Sequence, residues 1–76
     1  SSETAALVER CKQLDSAESC AQAIPACETL SSQLLRQRRR SATSTLPRGD
    51  AEDLASYLFN QSHCYSLQKN HAMAEE

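Results

Sequence analysis

The chain has 76 residues, a formal net charge of −2 and a sequence pI near 5.6, which leaves room for one small domain. It contains no Trp, one Phe and two Tyr, and much of its 39% hydrophobic fraction is Ala, so apolar burial alone is a thin basis for folding. No stretch approaches the roughly 20 apolar residues that span a bilayer, no basic-then-apolar segment reads as a signal peptide, and neither CxxC pairs nor short Cys and His spacings point to zinc.

One Gly and two Pro in the whole chain favour helix throughout. The expected fold is all-α: a single antiparallel helical hairpin over residues 1–76, stapled by disulfide. Arm one is predicted over about residues 3–40, a loop over 41–49, and arm two over about 51–70. In arm one, Leu7, Cys11 and Leu14 recur at the spacing of one helical face. Asp15 or Ser16 with Glu18 resembles a capping signal, so a fresh start there is one option. A continuing helix would carry the stripe through Ala21, Ile24, Cys27, Leu30 and Leu34. Pro25 lies inside that run, and its missing N–H predicts a kink or break near residues 22–25.

Arm one ends in Arg36-Gln37-Arg38-Arg39-Arg40, cations suited to a helix C-terminus. Residues 41–49 carry turn chemistry. Asp50 then reads as an N-cap, with Glu52 and Asp53 in the first turn. Leu54, Tyr57, Leu58, Gln61, Cys64, Tyr65 and Gln68 follow as the inner face of arm two.

An even number of cysteines in a short chain favours disulfides in an oxidising compartment. Facing positions in an antiparallel pair have a nearly constant residue-number sum. On that basis Cys11 and Cys64, both on apolar stripes near the open ends, are the expected staple. A closed loop of about 50 residues is worth roughly 4 kcal/mol in the chain-entropy model. Cys20 and Cys27 have no cysteine opposite them. Seven residues of unbroken helix separate them by roughly 10 Å, beyond the roughly 7 Å a disulfide tolerates. They read equally as buried free thiols or as a local bridge across a break at Pro25.

The spacing Cys11-x15-Cys27, the polar loop, and a second helix containing Leu54-x2-Tyr57-Leu58-x4-His63-Cys64 resemble the hinge-protein family of the mitochondrial cytochrome bc1 complex. The segments "LVERCKQL" and "DAEDLASYLFNQSHC" carry most of the likeness, which covers roughly residues 6–70. The resemblance implies a disulfide-linked helical hairpin, peripheral on the intermembrane-space side of the mitochondrial inner membrane and without a transmembrane segment of its own. It implies cytochrome c1 and other bc1 subunits as partners, and help to the approach of cytochrome c. The family's two bridges pair first with last and second with third cysteine. Cys11 and Cys64 match the outer pair and Cys27 one partner of the inner pair, while the other partner's position holds Asp50. The family's acidic N-terminal run, associated with attracting cytochrome c, is not in this sequence.

No catalytic, cofactor-binding or metal-binding residues are expected. His63 stands beside Cys64, but neighbours on a helix point about 100° apart, and a staple cysteine next to a surface His is the simpler reading. A metal set of Cys20, Cys27 and His71 lacks ligand spacing. Arg36, Arg38, Arg39 and Arg40 are candidate partner contacts, set against an ordinary solvated helix end. No aromatics interleave with them, so nucleic acid is not an expected partner. Arg39-Arg40-Ser41 also has the form of a basophilic kinase site. Leu35, Phe59 and Leu67 lie off the main stripes and are candidate outward contacts, set against a broader internal core. The sequence thus reads as a non-catalytic accessory subunit of ubiquinol–cytochrome c reductase that braces cytochrome c1. The alternatives are a twin-cysteine helical-hairpin assembly factor or other respiratory-chain subunit of the same compartment, and a secreted disulfide-stapled signalling or effector peptide.

Overall fold

The computed structural model describes residues 2–75, with side chains through Ala74. These residues form three helices: α1 (Ser2–Lys12), α2 (Ala17–Arg40) and α3 (Arg48–Glu75). The long helices α2 and α3 make an antiparallel hairpin, and α1 folds back along α2. Its extents are 49 × 25 × 15 Å. A helix with side chains is about 10–12 Å across, so the hairpin is little more than one helix thick. Each helix keeps an outer face for lack of a second layer to cover it.

The break in the first arm lies at residues 13–16, where the capping residues sit, and not at Pro25. Ser16 is the N-cap of α2, with extended backbone, and its Oγ accepts from the Ser19 N–H at 3.1 Å. That bond satisfies one of the orphan donors of the helix start. α2 then runs unbroken through Pro25. Ala21 and Pro25 are both exposed, so the carbonyl of Ala21, for which Pro25 has no N–H, lies on the wet side of the helix.

Ser41 ends α2, its N–H donating to the carbonyls of Gln37 and Arg38. In the loop Ser44 takes a left-handed backbone with φ 57°. Local bonds from the Ser41 carbonyl and hydroxyl brace this turn. α3 begins earlier than Asp50: the Pro47 carbonyl accepts from the Ala51 N–H at 2.9 Å. Proline at this junction needs no N–H of its own. Asp50 is therefore inside the first turn, where its negative charge suits the helix dipole, and its carboxylate accepts from Gln37 Nε2 at 3.1 Å across the hairpin. α3 also continues past the expected end near residue 70, to Glu75.

The core is built from small residues and sulfur. Cys11, Ala26, Cys27 and Leu30 form one cluster, with Leu7, Val8 and Tyr57 packed on it. Cys20, Ala23 and Cys64 form the other, with Leu14, Ile24 and Leu67. All four cysteines are fully buried. The buried stripe of α2 is accordingly Cys20, Ala23, Ala26, Cys27, Leu30 and Ser31, offset from the expected one in that Ala21 is exposed. Small residues at these positions let three backbones approach closely, which suits a chain with so few large apolar side chains.

Candidate functional site: two crossed disulfides and an outward apolar face

Cys11 bonds to Cys27 and Cys20 bonds to Cys64, with Cα–Cα separations of 5.0 and 5.1 Å. All four cysteines predicted as candidates are bridged, but the pairing Cys11–Cys64 does not occur, and Cys20 and Cys27 are neither free nor joined to each other. The register explains this. Helix ends at Arg40 and Arg48 flank a short loop, so α3 descends along α2 and brings Cys64 to Cys20. Cys11 lies nine residues earlier, roughly 13 Å along a continuous helix. The break at residues 13–16 folds α1 back and delivers Cys11 to Cys27 instead. The two closed loops overlap in sequence, so each bridge joins a different pair of helices: α1 to α2, and α2 to α3.

A third link joins α1 to α3. The Asn60 amide donates from Nδ2 to the Cys11 carbonyl at 3.0 Å. That carbonyl belongs to the last turn of α1, where no intrahelical N–H is available. Tyr57, one turn earlier on α3, packs on the same cluster. Its hydroxyl pKa is raised above the ordinary 10.0, chiefly by burial and then by the negative charges of Asp53 and Asp50. Ser31 is buried in α2 with a hydroxyl that has no hydrogen-bond partner.

The thiol chemistry is closed off. Cys64 is locked to Cys20 and fully buried, so it offers His63 no thiol proton. Cys20 and Cys27 are likewise committed as disulfides, and among the described residues no group of three His, Cys, Asp or Glu is placed to hold a metal ion. No helix among them is long and apolar enough to cross a membrane.

α3 is apolar on two sides. Its inner side carries Leu54, Tyr57, Cys64 and Leu67. Leu67, expected outside, packs against the Cys20–Cys64 cluster, because it follows Cys64 by three residues on the same face. Leu58 and Tyr65, expected inside, are 45% and 51% exposed. They join Phe59, at 71%, and Met73, at 62%, on the outside. Ala51, Ala55, Leu58, Phe59, Ser62 and Tyr65 share this outer side at helical spacing, all exposed, and no charged residue lies among them before Lys69. Toward the loop the surface dips into an open apolar depression of about 500 Å³ lined by Leu46, Ala51, Leu54, Ala55 and Leu58, with Arg38 at its edge.

The other predicted contact residues do not form one surface with these. Leu35 is half-buried. Arg36 lies beside a separate depression with Pro25, Glu28, Thr29 and Ser32. Arg36, Arg38, Arg39 and Arg40 are all exposed and fan around the helix end, since successive helical residues turn by about 100°. Of the second apolar side of α3, the sequence singles out only Phe59 as outward, with Leu58 and Tyr65 expected inside. Its signal was present in Leu58, Phe59 and Tyr65, which crowd more than half of a helical wheel when added to the inner set.

Compared with protein families, with curated proteins and with solved structures, the chain gives no match.

Proposed function

We propose that this protein is a non-catalytic docking subunit, locked by two disulfides in an oxidising compartment, that seats the outer side of α3 on a larger protein. One observation carries the reading: an exposed, uncharged apolar helix face runs from Ala51 to Tyr65 and leads into a depression edged by Arg38. A face of this kind is costly to leave in water and useful when covered. Arginine at its margin suits an acidic or carbonyl-rich partner rim.

The sequence resemblance names the assembly. In this reading the chain is an accessory subunit of the cytochrome bc1 complex on the intermembrane-space side, bracing cytochrome c1. The test is co-migration. Solubilised mitochondria from the source organism, resolved on a native gel, should carry this chain in the band containing cytochrome c1. A bc1 band free of it ends the bc1 assignment while leaving the docking face intact.

A second reading, the secreted disulfide-stapled signalling or effector peptide, does not require the pairing that the bc1 resemblance implies. The bridges cross in sequence order, whereas the hinge-protein resemblance implies nested rungs. Recovery of the mature chain from the extracellular medium, and not from mitochondria, would select it.

A further inference from the structure

The arginine run at the end of α2 lies in the longest stretch of described residues without a buried side chain. Between Ser31 and Leu54 no residue is buried. Arg36 through Arg40 are exposed, and the interhelical hydrogen bond of this stretch, Gln37 to Asp50, is itself on the surface. The last turn of a helix lacks onward hydrogen bonds for its carbonyls and frays at low cost. At Ser41 the backbone already leaves the helix for an extended conformation, with φ −70° and ψ 138°. Elsewhere the basic residues Arg10, Lys12, Arg48 and Lys69 stand singly in the sequence, and only Arg38, Arg39 and Arg40 are adjacent.

The disulfides bracket this stretch. Cys20 lies before it and Cys64 after it, and the two are bonded. A break anywhere between them therefore leaves one covalent molecule.

We propose that the Arg40–Ser41 peptide bond is a processing site for an endoprotease that recognises consecutive basic residues, and that the mature protein is a two-chain, disulfide-linked molecule. In the helix the arginines fan outward and present no common edge. Extended in a protease cleft, Arg38, Arg39 and Arg40 occupy successive acidic subsites ahead of the scissile carbonyl. Hydrolysis adds one water: the carbonyl carbon of Arg40 gains the hydroxyl and becomes a carboxylate, and the nitrogen of Ser41 leaves as a free amine. Exposed loops with small polar residues, like Ala42-Thr43-Ser44-Thr45 directly after the half-buried Ser41, are preferred places for such nicking. The cut also frees one end of the segment whose Ser44, Thr45 and Leu46 wall the apolar depression beside α3. The inference rests on the second reading, in which the chain is secreted and meets such proteases on its way out of the cell, and it needs the run, the turn after it and the Cys20–Cys64 bond.

The test has two arms. Oxidised single-chain protein is incubated with a subtilisin-family endoprotease specific for paired basic residues. The expected product is one species heavier by a single water, with its helical circular dichroism retained, that reduction splits into residues 1–40 and 41–76. The variant Arg39→Gln/Arg40→Gln, altered only at exposed positions, should keep the same spectrum and lose the cut. An uncut chain under conditions that cleave a peptide spanning residues 35–45, or a cut chain that loses its helix, overturns the proposal. In the second arm the protein isolated from its source is weighed before and after reduction. Two chains ending at Arg40 and beginning at Ser41, allowing for trimming of terminal arginines, support it, and an intact Arg40–Ser41 bond overturns it.

Discussion

Removing the Cys20–Cys64 bridge is the perturbation with the largest expected effect on the fold. The bonded residues are 44 apart in sequence. Chain-entropy reasoning assigns a closed loop of that length about 4 kcal/mol, against about 3 kcal/mol for the 16-residue separation of Cys11–Cys27. The two contributions are not additive, because the loops share residues 20–27. Domains this small hold only about 5 kcal/mol in total, at the low end of the usual range. A Cys20→Ala/Cys64→Ala variant should therefore keep only about 1 kcal/mol of stability at room temperature, with its melting midpoint lowered by about 15–30 °C. The Cys11→Ala/Cys27→Ala variant should behave differently. It should release α1 while the α2–α3 hairpin persists, so part of the helical signal survives. Thermal melts followed by circular dichroism, with hydrogen exchange to locate the protected helix, distinguish the two. Equal losses in both variants, or an unchanged melt without Cys20–Cys64, would refute the reasoning that these bonds replace a missing hydrophobic core.

Other consequences are local. Phe59→Asp, at a position exposed in the free protein, should change folding stability by less than about 0.5 kcal/mol while abolishing association with the partner in a pull-down; retained binding would detach Phe59 from the docking face. Ser31→Ala removes a buried hydroxyl without a partner, so urea unfolding should show stabilisation of about 1 kcal/mol, and destabilisation would mean that the hydroxyl is satisfied. Tyr57 is held neutral beyond its ordinary 10.0. Because its folded pKa is raised, its contribution is complete below the unfolded value and is lost as pH climbs through the folded one. Unfolding midpoints should fall over that alkaline window in the native chain and fall less in Tyr57→Phe.

Local chemistry was readable in the sequence where a single residue decides the backbone. Asp15 or Ser16 with Glu18 offered the start of α2 as one option, which Ser16 takes, and the hydroxyl-rich stretch after Arg40 announced the turn. Helix content was equally plain from the near absence of Gly and Pro. Pairing was harder. Register between α2 and α3 is set by where the loop begins and ends, and the loop expected at 41–49 already agrees with the observed one; pairing Cys11 with Cys64 went wrong by nine residues because matching the two stripes at their open ends overrode that register. Pro25 misled because one missing N–H on an exposed helix face is answered by water, so the helix continues. The split of α3 into inner and outer apolar sides was hidden for a related reason. Leu58 lies on the expected inner stripe and Leu67 off it, and only the line of contact with α2 decides which is covered.

The claim that matters most is that the outer side of α3 is covered in the working protein. A photo-crosslinking phenylalanine analogue placed at Phe59 in cells, with Glu9 on α1 as an exposed control position, tests it directly. Irradiation should yield one discrete adduct from position 59, containing a cytochrome bc1 subunit, and none from position 9. Equal adducts from both positions, or none from position 59, would contradict a docking face on α3.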